Sequence, residues 1–93
     1  MNKYLVKVST QAIEDISNAL RYIKLTKQAV KNIKIDIKET KERLKYVADS
    51  LADYKDGTGR KEIHLRKHNY KFIYSIDNNV VTIEEFLHDL QDE

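Results

Sequence analysis

Alternating side chains between Gly59 and Tyr74 constrain the fold of this chain more than any other stretch does. Successive side chains of a β-strand point to opposite faces of the sheet. This alternation puts Ile63 and Leu65 on one face of a first strand. The other face is polar, and it carries Arg60, Glu62, His64 and Arg66. The sequence therefore predicts a strand with one side for a core and one side for solvent or a ligand.

A second strand is expected after a tight turn around His68 and Asn69. Its alternation puts three aromatic side chains on one face, namely Tyr70, Phe72 and Tyr74. The other face carries Lys71, Ile73 and Ser75. Aromatic side chains at this spacing are typical of a strand core, although they can also stack on nucleic-acid bases. We expect the preceding helices to cover the apolar face, which leaves a polar face able to bind anions or transfer protons.

The first half of the chain predicts a strand and two helices. Lys3 to Val8 alternates as a strand does, and Ser9 or Thr10 stands where a helix N-cap belongs. Apolar residues then recur at helical spacing until the pattern restarts at Thr26, a second N-cap. A narrow apolar stripe continues along a long second helix. The short joint between the helices predicts an antiparallel helical hairpin at about residues 10–52.

Glycine and asparagine mark the remaining turns. Residues 56–59 (Asp-Gly-Thr-Gly) separate the hairpin from a sheet half at about residues 60–88, and residues 77–79 (Asp-Asn-Asn) predict a turn. In the last strand, alternation puts Val81, Ile83 and Leu87 opposite to Thr82, Glu84, Phe86 and His88. The predicted order is β-α-α-β-β-β in a single α+β domain, residues 1–93. An antiparallel sheet packs against the helical hairpin, and the first strand is expected to join that sheet.

Composition narrows the class of protein. A chain of 93 residues allows one small core, and the absence of Cys favours a reducing cytoplasm and excludes a thiolate nucleophile and Cys-ligated zinc. No apolar run approaches the roughly 20 residues of a membrane span. The glycine cluster lacks the Lys and the following helix of a phosphate-binding loop. We therefore expect a cytoplasmic protein with no cofactor, no metal and no membrane association.

Charge is unevenly distributed, although the net charge is only +2. Residues 59–74 are basic with a single acid, Glu62, whereas residues 77–93 carry acids and no Lys or Arg. The basic side chains are Arg60, Lys61, Arg66, Lys67 and Lys71. A patch of this kind attracts an acidic partner or a phosphate backbone, so these are the predicted binding residues. The lysine-rich face of the second helix is more typical of a solvated surface.

Two histidines are predicted on polar strand faces. In that position His64 and His88 could converge in space, with Glu62 and Glu84 nearby. Such a set can supply a general base and a general acid for phosphodiester cleavage, and Arg66 and Lys71 can neutralise the phosphate. The competing interpretation is that all of these are ordinary solvated side chains. A metal site built on the two histidines has no supporting spacing signature.

Two parts of the chain together resemble the RelE/ParE superfamily of bacterial toxins. The first part runs from Tyr4 to Ile23. The second part comprises Arg60 to Leu65, Asn69 to Asp77, Val80 to Ile83 and Phe86 to Asp92. The resemblance covers nearly the whole chain. It implies the toxin of a type II toxin–antitoxin pair, inhibited by a cognate antitoxin that binds it in a hetero-oligomer.

ParE-like members of the superfamily are more similar to this chain than RelE-like members are. The match rests on residues 9–23, on the long helical hairpin and on an ending with His88, Gln91 and Asp92 at matching spacing. It implies a protein that poisons DNA gyrase and catalyses no reaction. His88 and Gln91 then join the basic residues as target-binding or antitoxin-binding residues.

RelE-like members imply the alternative, a ribosome-dependent mRNA endonuclease. Its catalytic residues in this chain are His64, Arg66, Lys71 and His88. The two strand lysines of the RelE-like face fall on Glu62 and His64, and an expected arginine is missing at residues 89–90. These departures favour the ParE-like function. A third hypothesis is a degenerate, non-toxic member that only binds its antitoxin.

Overall fold

The computed structural model describes residues 3–22 and 26–89 of the chain. Its helices and strands are β1 (Leu5–Val8), α1 (Thr10–Tyr22), α2 (Lys27–Val47), β2 (Lys61–His64), β3 (Tyr70–Asp77) and β4 (Val80–His88). A single 3₁₀ turn, Ala48–Ser50, continues α2. The α+β class is confirmed, and the elements follow one another in the predicted order.

The four strands form one sheet in the order β1-β4-β3-β2. β2, β3 and β4 are antiparallel neighbours, as the sequence predicts. β1 joins the sheet beside β4 and runs parallel to it, with Leu5 opposite Val80. Asn78 lies in the predicted turn between β3 and β4 with φ 56°. Asn tolerates this left-handed conformation better than most residues do, so the hairpin closes tightly.

Each helix begins at a hydroxyl side chain. Ser9 Oγ accepts a hydrogen bond of 3.0 Å from the backbone N–H of Ala12. Thr26 Oγ1 accepts one of 3.0 Å from Ala29. These bonds satisfy backbone donors that have no partner inside a first helical turn. Of the two proposed caps for α1, Ser9 is therefore the N-cap, and it also ties the helix to β4 by donating to the Glu84 carbonyl.

The core lies between the two helices and one face of the sheet. We call this covered face the inner face and the opposite one the outer face. The helical segments contribute Ala12, Ile33, Ile37, Leu44 and Ala48, and the sheet half contributes Ile63, Leu65, Phe72, Tyr74, Val81, Ile83 and Phe86. Tyr74 is fully buried and its hydroxyl donates to the Ala48 carbonyl at 2.7 Å. The aromatic side chains of β3 therefore pack in the core, as their spacing favours.

A β-bulge interrupts the register between β3 and β4. Tyr74 lies opposite Ile83, but its neighbour Ile73 lies opposite Glu85. Glu84 is thus an extra residue on β4. A bulge of this kind shifts the alternation of side chains by one position from that point onward.

The bulge overturns the predicted facing of the end of β4. Simple alternation put Leu87 with the apolar set and put Phe86 and His88 with the polar set. Instead Phe86 is buried in the inner core with 3% of its surface exposed. The ring of Phe86 stacks on Tyr70 at 4.8 Å, and His88 meets the same Tyr70 ring edge-on at 5.0 Å. The predicted assignment was wrong because the extra residue is not visible as a break in the sequence pattern.

The segment before β2 does more than connect the helical half to the sheet. Its backbone pairs with the start of β2, since Tyr54 donates to the Arg60 carbonyl at 2.7 Å and Glu62 donates to the Ala52 carbonyl at 3.1 Å. Gly57 and Gly59 have φ values of 75° and 83°, which a side chain would disfavour. The two glycines thus let the chain double back along the edge of β2.

Candidate functional site

Lys71 lies on the outer face in a largely buried ion pair. Its Nζ lies 3.1 Å from Glu62 Oε1, and only 6% of the Lys71 side chain is exposed. The ring of Tyr54 covers the same ammonium, at 5.3 Å from the ring centroid. A buried ammonium is stable only with such partners. The predicted phosphate ligand Lys71 is therefore engaged in holding the loop and sheet together.

Arg60 lies at the centre of a second network on the outer face. Its guanidinium bonds to Asp56, to Glu85 at 2.7 Å and to Glu84 at 3.2 Å. The hydroxyl of Thr58 and the Arg60 guanidinium lower the pKa of Asp56 to about 2. The same carboxylate, followed by Glu85 and Glu84, raises the pKa of Arg60 against the opposing effect of burial. Arg60 is thus neutralised within the protein.

Lys61 is also paired inside the fold. Its Nζ donates to Asp53 Oδ1 at 2.9 Å and to the Leu51 carbonyl at 3.0 Å. Three of the five predicted binding cations, those at positions 60, 61 and 71, therefore stabilise the doubled-back segment. Arg66 and Lys67 differ, because within the described part of the chain neither side chain forms an ion pair.

His64 is exposed at the outer-face end of β2. Its Nδ1 lies 3.3 Å from Asp89 Oδ1, and its Nε2 lies 3.6 Å from Glu62 Oε1. The side chain is more than half exposed, at 57%. Across the sheet, His64 pairs with Lys71 and Lys71 pairs with Leu87. His64 therefore shares its face with these two residues.

His88 lies on the inner side of the sheet and does not meet His64. It lines a cavity of about 600 Å³ between α1 and the end of the sheet, together with Tyr70, Asp15 and Tyr22. The predicted convergence of His64 and His88 is wrong, because the bulge at Glu84 turns His88 toward the helices. Two groups on opposite faces of a sheet cannot serve as the acid and the base for one bond.

Asp15 reinforces the bulge that separates the histidines. Its Oδ2 accepts a hydrogen bond of 3.0 Å from the backbone N–H of Phe86. Residues beside a bulge lose regular ladder partners, and a buried N–H needs an acceptor. The pattern of β4 gives no signal for this contact, because the extra residue at Glu84 is not visible in the sequence.

Asp36 fixes the loop that carries Arg66 and Lys67. Its carboxylate is 2% exposed and accepts from the backbone N–H groups of Arg66 at 3.3 Å and Lys67 at 3.0 Å. Its Oδ2 also lies 2.7 Å from His68 Nδ1. Burial opposes ionisation, but the hydrogen bonds from His68, Lys67 and Arg66 outweigh it and hold the pKa of Asp36 below its ordinary value. The sequence held one signal for this role, an acid at the edge of the apolar stripe of α2.

Arg43 is a further residue of this region that the sequence did not single out. It projects from α2 and donates to the His64 carbonyl at 3.4 Å. Burial, followed by the positive charge of Arg66, lowers the pKa of Arg43 below its ordinary value. Two guanidinium groups are thus held near each other beside the loop, which is the arrangement of an anion-binding corner.

The remaining predictions concern metal binding, membrane association and residue Gln91. Among residues 3–22 and 26–89, no cluster of His, Cys, Asp and Glu is arranged to hold a metal ion. No helix in that same part of the chain is long and apolar enough to cross a membrane. Gln91, a predicted partner-binding residue, lies outside the described residues, as does Asp92.

The fold resembles that of a known toxin–antitoxin protein. The chain superposes with a TM-score of 0.80 on a chain of the chromosomal ParDE toxin–antitoxin system from P. aeruginosa. The alignment covers 92% of this chain and 96% of that one, at 13% sequence identity. The two chains share one fold. This likeness supports the α+β fold that the sequence predicts.

Two E. coli structures superpose less closely. One is toxin RelE, as a double mutant in complex with an antitoxin RelBc peptide, with a TM-score of 0.46, 20% identity and coverage of 90% of this chain and 81% of that one. The other is the intact RelBE toxin–antitoxin complex, with a TM-score of 0.47, 22% identity and coverage of 89% and 93%. No protein-family model and no curated protein matches the sequence.

Proposed function

We propose that this chain is the toxin of a type II toxin–antitoxin module of the ParE-like kind. It acts by binding and poisoning DNA gyrase in the cytoplasm, and a cognate antitoxin neutralises it in a hetero-oligomeric complex. The close superposition on a chain of a ParDE system supports this proposal. The resemblance of residues 9–23 and of the His88-containing ending to ParE-like toxins supports it independently.

The observation that carries the proposal is the dispersal of the residues that the endonuclease needs. His88 lies in the cavity beneath α1, whereas His64 lies on the outer face. Lys71 is buried against Glu62. Of the four proposed catalytic residues, only His64 and Arg66 remain exposed. A surface without an assembled acid–base pair is better suited to binding a target than to cleaving RNA.

The experiment compares two activities of purified, antitoxin-free protein. One assay measures supercoiling and trapped DNA breaks with gyrase, and the other measures mRNA integrity on programmed ribosomes. We expect trapped breaks and intact mRNA. His64→Ala should leave the trapped breaks unchanged, because the exposed imidazole takes no part in the reaction that gyrase performs.

Two results would overturn this function. The RelE-like endonuclease would be established instead if the protein cleaved mRNA and left gyrase unaffected, and if His64→Ala abolished the mRNA cleavage. Normal growth of cells that produce the protein without an antitoxin, together with inactivity in both assays, would establish a degenerate member. Thermal unfolding of each variant is the control, since only folded protein bears on either result.

A further inference from the structure

A continuous groove runs along α2 beside the loop that Asp36 holds. Its two concavities have volumes of about 610 Å³ and 350 Å³ and share Asp36, Glu39 and Lys67 as lining residues. Asn32 lines one end and Arg43 lines the other. At 1.5 Å per residue the helix covers about 16 Å between them, which is the length of about five residues of an extended peptide.

The groove holds more positive charge than its own acids compensate. Its four cationic side chains are Lys38, Arg43, Arg66 and Lys67. Within the described residues, none of the four takes part in an ion pair. Arg43 donates only to a backbone carbonyl, at 3.4 Å. Cations gathered in a concave surface without counter-ions raise the local concentration of anions.

The acids of the groove are mostly engaged elsewhere. Asp36 is committed to two backbone N–H groups and His68. Glu42 bonds to Lys45 at 3.0 Å, outside the groove. Glu39 is the one lining carboxylate left to offset four cations. The groove therefore keeps a net positive field where a ligand would lie.

The length of the groove and its exposed apolar side chain favour a peptide as the ligand. Ile35 lines the smaller concavity and is 45% exposed. An apolar side chain at one end and two guanidinium groups at the other match a segment that carries an apolar residue followed by acids. A nucleic-acid strand would offer phosphates to the arginines but no aliphatic group to Ile35.

We propose that this groove, between α2 and residues 65–68, is the docking site for an extended acidic segment of the antitoxin. An aliphatic residue of that segment packs on Ile35, and its carboxylates pair with Arg43, Arg66 and Lys67. The identity of the partner rests on the proposed function, whereas the preference for an acidic peptide rests on the groove alone. Asp36 fixes the loop in advance, so the loop loses little conformational freedom when the segment binds.

The test is a titration of the ¹⁵N-labelled full chain, followed by the amide chemical shifts. The probe is a blocked hexapeptide with one leucine near its N-terminus and Asp or Glu at the other positions. A matched peptide with Asn and Gln in place of the acids is the control ligand, and a single-stranded hexanucleotide is the competitor. We expect the acidic peptide to shift the amides of residues 32–43 and 65–68 and the neutral peptide to shift none.

Variants assign the effect to individual charges. Arg43→Gln with Arg66→Gln should weaken the acidic peptide on the order of tenfold, because two charge-assisted contacts are lost. Lys34→Gln removes one positive charge from an exposed position of α2 that lines neither concavity. It should change the dissociation constant by less than about twofold, because salt screens exposed charges that lie apart from the ligand.

Three outcomes reject the docking site. They are shifts that cluster on the outer face around Arg60, an affinity that the double variant leaves unchanged, and tighter binding of the hexanucleotide in the same groove. Gyrase takes no part in the titration, so the two proposals fail separately. Gyrase poisoning with shifts elsewhere rejects the groove alone. Shifts in the groove with inactive gyrase reject the proposed target alone.

Discussion

The outer face of the sheet and the α2 groove use basic residues in opposite ways. On the outer face, Arg60 and Lys71 each meet carboxylates inside the fold. In the groove, Arg43 and Arg66 lie near each other and neither meets a carboxylate within 4 Å among the described residues. Cations of the first kind stabilise the monomer, and cations of the second kind are available to a partner. The comparison shows that a basic stretch of sequence is not by itself a binding surface.

The largest expected effect comes from breaking the buried pair on the outer face. Glu62→Gln leaves the Lys71 ammonium, 6% exposed, without its carboxylate. We expect the free energy of unfolding to fall by about 3 kcal/mol, because removing one partner of a buried ion pair is costly. Urea unfolding measures this loss, with Glu14→Gln at an exposed position of α1 as the control. Equal, small losses in both variants would show that the remaining contacts of Lys71, the Tyr54 ring among them, are sufficient.

A smaller loss is expected at Asp36, which fixes the loop that lines the groove. Asp36→Asn should lower the free energy of unfolding by about 2 kcal/mol near pH 7, since a buried carboxylate that serves several donors is replaced by an amide. The cost has a defined pH dependence. Because the folded state holds the pKa of Asp36 below 3.8, the carboxylate stabilises the fold above that pH, and its contribution is lost as the pH falls through the folded pKa.

Urea unfolding of the wild type and of Asp36→Asn at pH 7, 5 and 3 tests the direction of this pH dependence. The difference between the two proteins should be largest at pH 7 and should shrink at pH 3. A difference that stays constant over this range would mean that the geometry of the contact matters and its charge does not.

The network around Arg60 should contribute less, because 22% of that side chain is exposed. Arg60→Gln is expected to cost about 1 kcal/mol at low ionic strength, where three carboxylates lose their shared cation. In 1 M salt the cost should fall, since screening weakens partly exposed pairs. Arg21→Gln, at an exposed position of α1, provides the matched control. A cost that is independent of salt would argue that the contact of the Arg60 guanidinium with the Tyr54 ring, 5.6 Å from the ring centroid, matters more than the carboxylates.

The smallest effects on stability are expected in the groove. Arg66→Gln and Lys67→Gln should each change the free energy of unfolding by less than about 0.5 kcal/mol. Among residues 3–22 and 26–89 neither side chain has a carboxylate partner to lose. Arg66→Gln also relieves the like charge beside Arg43. Thermal unfolding in parallel with Glu62→Gln gives the comparison directly. A loss near that of Glu62→Gln would place the groove cations among the stabilising ones.

Short-range preferences for helix caps, turns and strand alternation predicted several parts of this fold correctly. The caps at Ser9 and Thr26, the turn at Asn78 and the inner-facing Ile63 follow from short-range preferences that tertiary contacts do not override. The helical hairpin was predicted to extend to about residue 52, whereas α2 ends at Val47 and a 3₁₀ turn follows. Helix ends depend on tertiary contacts there, so their bounds are less predictable.

The candidate site depended on features that local rules do not contain. The bulge at Glu84 adds one residue without an unusual composition, and it reverses the facing of His88. The fold of the doubled-back segment brings Tyr54 over Lys71, a contact between residues far apart in sequence. In the sequence Arg43 resembles the other charged residues of α2. Its contact with the His64 carbonyl is what places it beside the loop. Long-range geometry therefore decided which basic residues are available to a partner.

The position of β1 bears on the order in which the chain folds. Its only strand neighbour among the described residues is β4, and Ser9 bonds to the Glu84 carbonyl across 75 residues. Contacts between distant residues form slowly, because closing a long loop costs entropy. During synthesis the helices can form while β1 still lacks a partner, and the surface that α1 covers arises only with β4. We expect the growing chain to remain without its completed sheet until that strand has left the ribosome, so a product truncated before β4 would lack the surface that the completed sheet forms.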